Sequence, residues 1–391
     1  MNNLLIVSRA RYVKIDDGYN FQVNDGHYIN NISKLFDEVF IIAGQVSNNE
    51  VFNEKLPLRN NIICINRNKL SISSWISFLK LTMHCRVVYL FYPLKLSLLI
   101  AIFAKIIGKP IIAYNGGAWS EIKSAGLKHG FSRKLNQIIF DKMEFLSIKL
   151  SDFYLVNNSS LYEKYKQSFT IEKTIPLIRI TKENLYRRTD TCTGKAINIL
   201  SVNHIKKGKK ILELIQGFNL LLQNQIDVSF RLTIIGQYYK TDSSWIEIAD
   251  YITKNNLNNY VRFTGIINDV DSLIKYYRSS DLLVLVTESE GFPRVIWEAF
   301  SQSLPVLCSS LPNIVKEFDE SKMPIYLLKN DEPETIMNSI QTIFENQKIR
   351  KNLIENENYY FHKKMEKTPV EQFESILKNK LNTKLKCNGK N

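Results

Sequence analysis

Two glutamates, Glu290 and Glu298, occupy the most chemically informative stretch of this 391-residue sequence, Val284-Leu-Val-Thr-Glu-Ser-Glu-Gly-Phe-Pro-Arg-Val-Ile-Trp-Glu298. An apolar run over Leu282–Val286 predicts a buried strand. Gly291 marks a short loop, and Phe292–Ser303 predicts a helix. A helix start leaves backbone N–H groups unpaired and carries a partial positive charge. That suits a diphosphate, with the amides around Gly291 and Phe292 as donors. Glu290, just ahead of the helix, would stand beside a sugar held there. Glu298, about two turns further along, would accept hydrogen bonds from both hydroxyls of a ribose. Charge-assisted bonds of this kind contribute roughly 1.5–3 kcal/mol each. The competing reading is a glutamate pair on an exposed helix.

The elements around this segment predict an α/β protein, with short β-rich runs alternating with helix-length amphipathic stretches. Leu4–Ser8, Phe40–Ala43, Val87–Phe91, Ile111–Tyr114 and Phe153–Val156 read as strands of a first half. Ser132–Leu150 reads as a helix. Thr181–Lys195 is polar and aperiodic, and the βα pattern restarts beyond it with strands at Ile197–Val202, Phe230–Ile235, Val261–Thr264 and Val306–Cys308. The expected division is 1–190, 191–365 and a C-terminal helix and basic tail at 366–391 that packs back on the first domain. Two doubly wound halves would face a central cleft, where ligands meet the carboxyl ends of the strands. Ser8–Gly26 is expected to be a long loop holding Asp17 and Gly18 on the acceptor side, with His27 opening the next helix. Val87–Ile107 is the longest apolar stretch, but Pro93, Lys95 and Lys105 argue for a strand, a turn and a helix over a membrane span.

Glu290-Gly-Phe-Pro to Glu298, followed by Ala299-Phe300 and Leu304-Pro305-Val306, resembles the E-x7-E signature of family 4 glycosyltransferases. Those are retaining, metal-independent enzymes of the GT-B fold, built from two Rossmann-like domains. Ile234-Ile-Gly236 resembles the family's mid-domain strand with its terminal glycine, and Val261-Arg-Phe-Thr-Gly265 its strand before the base-binding loop, which Ile266 would open. In Val202-Asn-His-Ile-Lys-Lys-Gly208, Lys207 matches the family lysine that holds the diphosphate. His204 stands where the family carries arginine, and Lys206, Lys209 and Lys210 are the cations nearby that could compensate. Asn115-Gly116, followed by Gly117, falls where many members carry His-Gly against the transferred sugar. The resemblance thus implies Glu290, Lys207 and Asn115 at the reacting centre. It implies Glu298, Gly291, Phe292, His204, Gly236, Gly265 and Ile266 around the donor, and Gly116 and Gly117 toward the acceptor. Asp269-Val-Asp271 is a D-x-D of the kind that holds a metal in another glycosyltransferase class, but its place ahead of a periodic helix reads as capping. No metal and no cofactor are expected.

Composition agrees with a globular protein: 45% hydrophobic and 23% charged. The odd set of five cysteines has no metal-ligand spacing and reads as reduced thiols. Net charge is +14, of which residues 1–194 carry +11. Lys123, Lys128, Arg133, Lys134, Lys142 and Lys149 lie among Phe131, Ile138, Ile139, Phe140, Phe145 and Leu146. Either the apolar residues pack inward under solvated lysines, or the region docks on anionic lipid. The functional expectation is transfer of a sugar from a nucleoside-diphosphate donor to a glycan or lipid-linked glycan, as in bacterial cell-surface polysaccharide assembly. The expected setting is the cytoplasm or the inner face of the plasma membrane, without nucleic acid as partner. Two alternatives stay open: a non-catalytic nucleotide-binding scaffold and a nucleotide-sugar epimerase.

Overall fold

The computed structural model describes residues 2–46, 55–68, 71–116, 131–157, 159–180, 182–224, 228–290 and 292–378. They form two α/β units: Met1–Leu177 with Lys367–Asn391, and Ile178–Glu366.

In the first unit the strands are β1 Asn3–Ile15, β2 Gly18–Gln22, β3 Glu38–Gln45, β4 Lys55–Pro57, β5 Ile62–Asn66, β6 Val87–Tyr92, β7 Ile111–Asn115, β8 Phe153–Val156 and β9 Ile171–Lys173. Parallel pairing runs β5-β3-β1-β6-β7-β8-β9, with β2 and β4 added antiparallel at the end of β1. Both faces are covered, so the central strands are near-continuous apolar runs. Leu4, Leu5, Ile6 and Val7 are all buried, for example.

The second unit contains β10 Ala196–Val202, β11 Ser229–Ile235, β12 Val261–Gly265, β13 Leu282–Leu285, β14 Val306–Ser309 and β15 Ile325–Leu328. Their order is β12-β11-β10-β13-β14-β15, and every pairing is parallel. This is the doubly wound 3-2-1-4-5-6 order, which reverses direction between β10 and β13. Ligands of such sheets bind outside the carboxyl ends at that switch.

Three expectations are corrected. The unit boundary falls after Leu177, not after residue 190. Ile180 is buried in the second unit's core, and the Arg188 guanidinium donates to the carbonyls of Ser280, Tyr277 and Gln302 at 2.7, 3.0 and 3.1 Å. Asp190 accepts from Arg350 at 2.8 Å. A polar stretch thus belongs to the domain its side chains bind.

The expected long loop at 8–26 is instead a β-hairpin. β1 continues to Ile15, turns at Asp16-Asp17, and returns with Tyr12 opposite Phe21. Tyr12 stacks on Phe21 and meets Tyr19 edge-on, a cross-strand aromatic arrangement that stabilises such pairs. His27 therefore lies inside the helix Val23–Ser33 rather than opening it.

At the other end, the expected C-terminal helix is described over Pro369–Ile376, with Thr368 and Glu371 forming a capping box. Its Phe373 and Ile376 are buried in the first unit's core, Phe373 against Phe36 and Tyr89.

Val87–Ile107 resolves into strand β6 and the helix Lys95–Ile106. Among the described residues no helix is long and apolar enough to cross a membrane. Cys64, Cys85, Cys192 and Cys308 are free thiols.

Candidate functional site

The carboxyl ends of β10 and β13 bring the candidate residues of the second unit together. All four residues of β13 are buried, and the chain leaves the sheet at buried Thr287. There the Thr287 N–H donates to Ser309 Oγ at 3.0 Å, and Ser309 in turn donates to Asp331 at 2.6 Å. The Glu288 N–H donates to the Gly208 carbonyl at 3.0 Å, which ties this loop to the turn after β10. Gly208 holds φ +84°, a left-handed conformation that glycine adopts without steric cost.

That turn decides which lysine faces the loop. Lys209 donates to Glu290 Oε1, and its Nζ lies 3.5 Å from Thr287 Oγ1. The two side chains are only 12% and 25% exposed. Lys207, the expected partner, is exposed, and Lys210 pairs with Glu213 and Glu288 at 3.0 Å each. Lys209, and not Lys207, is thus the lysine of this turn that pairs with Glu290. His204 is exposed beside the same group. Partial desolvation and the charges of Lys206 and Lys209 lower its pKa, so the imidazole is neutral at pH 7. Arg294, at the first position of the helix Arg294–Ser301, also acts on His204 and was not singled out in the sequence. Asn313 donates to the Glu290 carbonyl at 2.9 Å and fixes the loop from the β14 side.

Glu298 lies in the second turn of that helix, 6% exposed, and accepts a 2.9 Å bond from the Tyr277 hydroxyl. Tyr277 is fully buried. Burial first, and then the Glu298 carboxylate, raise its pKa well above the usual phenol value, so it stays a donor. The exposed-helix reading of the glutamate pair does not survive this burial. Tyr277 sits on the helix Val270–Ser279 among ordinary core positions, which left it without a sequence signal. Arg179 donates to the carbonyls of Ile267 and Asn268, both at 3.1 Å, and so positions the loop that begins at exposed Ile266.

Gly236 directly follows β11, where a Cβ would stand 1.9 Å from the Asn203 carbonyl oxygen, so no other residue fits there. Gly265 holds φ +74°. The Phe292 ring packs on Trp297 and Phe318, with centroids 5.4 and 5.8 Å away. Gly291 lies outside the described residues. Asp269 accepts from the Ser272 N–H as an N-cap at 2.7 Å, which accounts for one carboxylate of the D-x-D.

In the first unit, Asn115 is fully buried at the end of β7, with its amide at the Tyr154 hydroxyl. Its side chain is therefore enclosed within this unit. Gly116 follows it, and a Cβ there would meet Arg9 Nη2 at 3.4 Å. Asp17 is exposed in the hairpin turn and Gly18 opens β2. Gly117 lies outside the described residues.

Residues 186–358 match the family Glycosyl transferases group 1. A peptide N-acetylglucosaminyltransferase GtfA subunit that uses UDP-N-acetylglucosamine, from Streptococcus agalactiae, is 23% identical over 175 residues, 45% of this chain and 33% of the relative. An uncharacterised glycosyltransferase from Methanocaldococcus jannaschii is 27% identical over 143 residues, 36% of this chain and 38% of the relative. This chain thus spans between a third and two fifths of the length of these two relatives.

Among solved structures, Anabaena HepE in complex with UDP and glucose superposes with a TM-score of 0.65 at 14% identity, covering 96% of this chain and 99% of that one. WaaG, a glycosyltransferase of lipopolysaccharide biosynthesis, gives a TM-score of 0.65 at 12% identity, covering 96% of this chain and 100% of that one. Residues 186–358 of the second unit are thus similar to glycosyltransferase group 1 domains, within a fold of two parallel-sheet α/β domains shared with glycosyltransferases of the GT-B type.

Proposed function

We propose that the chain transfers a hexose-type sugar from a nucleoside-diphosphate donor to a hydroxyl of a glycan or lipid-linked glycan, with retention of configuration and without a metal. The observation that carries the reading is the Lys209–Glu290 pair at the sheet's switch point, with Glu298 buried behind it and oriented by Tyr277. In this mechanism Lys209, with the first amides of the helix Arg294–Ser301, neutralises charge growing on the leaving diphosphate. Glu290 steadies the sugar, and Glu298 holds the ribose. The leaving phosphate helps take the acceptor proton on the same face. Neutral His204 supplies a hydrogen bond in place of a second full charge. Epimerisation would instead need acid and base groups flanking the sugar.

Nucleotide binding and turnover test the reading. Glu298→Gln should weaken nucleotide-sugar affinity about tenfold or more, the loss of ~1.4 kcal/mol of charge-assisted bonding. Unchanged affinity would remove Glu298 from the ribose. EDTA should leave the rate intact. A chain that binds nucleoside diphosphates yet releases none from any donor would be a scaffold instead.

The working place we assign is an anionic membrane surface on the cytoplasmic side. The helix Phe131–Leu150 exposes Leu135, Ile138, Ile139, Phe145 and Leu146, beside exposed Lys134, Lys142 and Lys149. The neighbouring helices Ile72–His84 and Lys95–Ile106 expose Ile72, Ile76, Met83, Leu99, Ile102 and Ile106. Ile72 is 82% exposed and Ile106 76%. Apolar surface rimmed by cations suits lipid, and each cation near it contributes about 1 kcal/mol. Lys123 and Lys128 lie outside the described residues, as does the Arg133 side chain. Co-sedimentation should be strong with phosphatidylglycerol vesicles at low salt and weak with phosphatidylcholine. Binding indifferent to both lipid charge and salt would overturn the membrane assignment.

A further inference from the structure

We propose that Glu290 is a resident counter-anion that competes with the donor's diphosphate for Lys209. It yields the lysine to the incoming sugar nucleotide and retakes it once the sugar has been transferred, which drives release of the nucleoside diphosphate product. The proposal rests on the transferase reading above and concerns the regulation of that same site.

The pair itself is the first observation. Lys209 Nζ donates to Glu290 Oε1, and the two side chains are only 12% and 25% exposed. They stand where the sheet order reverses between β10 and β13, the place at which such sheets receive their ligands. A carboxylate held there satisfies the same ammonium donors that a phosphate oxygen needs. A diphosphate that takes the lysine must therefore displace the carboxylate or bear its repulsion.

The second observation is that the backbone around Glu290 is pinned. The Glu290 carbonyl accepts from Asn313 Nδ2 at 2.9 Å, and Asn313 is itself buried. Upstream, the Thr287 N–H donates to Ser309 Oγ at 3.0 Å, Ser309 donates to Asp331 at 2.6 Å, and the Glu288 N–H donates to the Gly208 carbonyl at 3.0 Å. The exchange is thus confined to the Glu290 side chain, which turns about its own bonds while the loop stays. The third observation is the next lysine. Lys210 holds two acids, Glu213 and Glu288, at 3.0 Å each. Lys209 has one acid to give up, and the Thr287 hydroxyl 3.5 Å from its Nζ is neutral.

The cost of displacing Glu290 falls unequally on substrate and product. With the sugar present, the displaced carboxylate accepts from sugar hydroxyls in charge-assisted bonds. After transfer those donors leave with the sugar, and the carboxylate is left beside the diphosphate with like charges opposed. A ligand shifts an equilibrium only by its differential interaction with the two states, so the sugar nucleotide opens the pair and the bare diphosphate is pushed out as it closes.

The test is isothermal titration of the full chain with whichever of UDP, GDP and ADP binds wild type most tightly, alongside its nucleoside and inorganic pyrophosphate. Glu290→Gln removes the charge, and Glu290→Ala also removes the remaining acceptor for Lys209. Both should bind the nucleoside diphosphate and pyrophosphate at least about threefold more tightly than wild type, because no ion pair has to be broken. The nucleoside should bind within about twofold of wild type, and Glu213→Gln, which takes an acid from Lys210 instead, should leave nucleoside diphosphate affinity within about twofold. Turnover in both Glu290 variants should fall while product inhibition strengthens, a combination that a merely structural loop residue does not give.

Nucleoside diphosphate affinity unchanged or weakened in both Glu290 variants would overturn the exchange. So would an equal gain for the nucleoside or in Glu213→Gln, since the gain would then not belong to the Lys209 pair. In each of these cases wild type still binds the nucleotide. A wild-type chain that binds none of the three nucleotides is the separate failure of the donor reading, and the exchange falls with it.

Discussion

Both units wind a parallel sheet outward from a central first strand, yet they handle charge in opposite ways. In the second unit the cation and carboxylate at the strand ends are partly buried and paired, Lys209 with Glu290, and the deeper Glu298 has its own buried donor in Tyr277. In the first unit the Arg67 guanidinium at the strand ends instead donates to the Arg9 carbonyl at 3.2 Å, and three neighbouring helices turn apolar side chains outward. The fold plan therefore does not set the chemistry; the few residues after each strand do. A preorganised pair suits a charge that develops in one defined place, as on a leaving diphosphate. Exposed apolar helix faces suit a partner that is itself apolar.

The largest effect that could break this contrast is at Lys209. Lys209→Ala should lower turnover by two to three orders of magnitude, about 2.7–4 kcal/mol, as removal of one preorganised electrostatic group does. Lys207→Ala should change turnover by less than about threefold, because that side chain is exposed and Glu290 is already paired with Lys209. The two variants assayed side by side with one donor decide it. A reversed ranking would mean that the loop rearranges around ligand and that the turn at Gly208 does not select the cation.

The same comparison shows what the sequence could reveal. The apolar run before Glu290 and the periodic run after it located the buried strand Leu282–Leu285 and the helix Arg294–Ser301 to within a few residues, since such a strand, loop and helix leave few arrangements. The lysine was not legible. Lys206-Lys207-Gly208-Lys209-Lys210 offers four cations, and only the left-handed backbone at Gly208 and again at Lys210, φ +46°, points one of them inward. Tyr277 was missed because a buried tyrosine on a helix looks like any core residue until its hydroxyl has a partner. The hairpin after β1 was missed because Asp16-Asp17-Gly18 reads as loop unless the aromatic alternation on both sides is counted with it. Asn115 was placed at the right strand end, but sequence position does not tell which way a side chain turns.

A smaller effect sharpens the contrast from the second unit's interior. Glu357 is fully buried, and neither carboxylate oxygen has a hydrogen bond of normal geometry; the Val306 N–H and the Arg188 guanidinium are the nearest offsetting groups. Burial raises its pKa well above the ordinary 4.5, so the folded protein holds this proton to higher pH than the unfolded chain does. Its contribution to stability is complete below about pH 4.5 and is lost as pH rises toward the folded value. Glu357→Gln removes the titration. The variant should match wild type near pH 4 and exceed it by about 1–3 kcal/mol at pH 8, read as the difference in urea unfolding of the second unit. A constant difference across that pH range would show that the carboxyl finds a partner in solution.

The smallest effect concerns Tyr277, and it separates holding a ligand from doing chemistry. Tyr277→Phe removes one hydroxyl and leaves Glu298 buried with one bond fewer. If Glu298 holds the donor ribose, the carboxylate gains freedom to turn, and the donor KM should rise about threefold to tenfold, roughly 0.7–1.4 kcal/mol. The kcat should stay within about twofold, because uniform binding is lost while the Lys209–Glu290 pair at the reacting centre is untouched. A purely structural role would lower the thermal midpoint and leave KM unchanged. Combining Tyr277→Phe with Glu298→Gln should add little to Glu298→Gln alone, since a hydroxyl that acts through a carboxylate has nothing left to orient. Additive effects on KM would mean that the hydroxyl reaches the donor by another route.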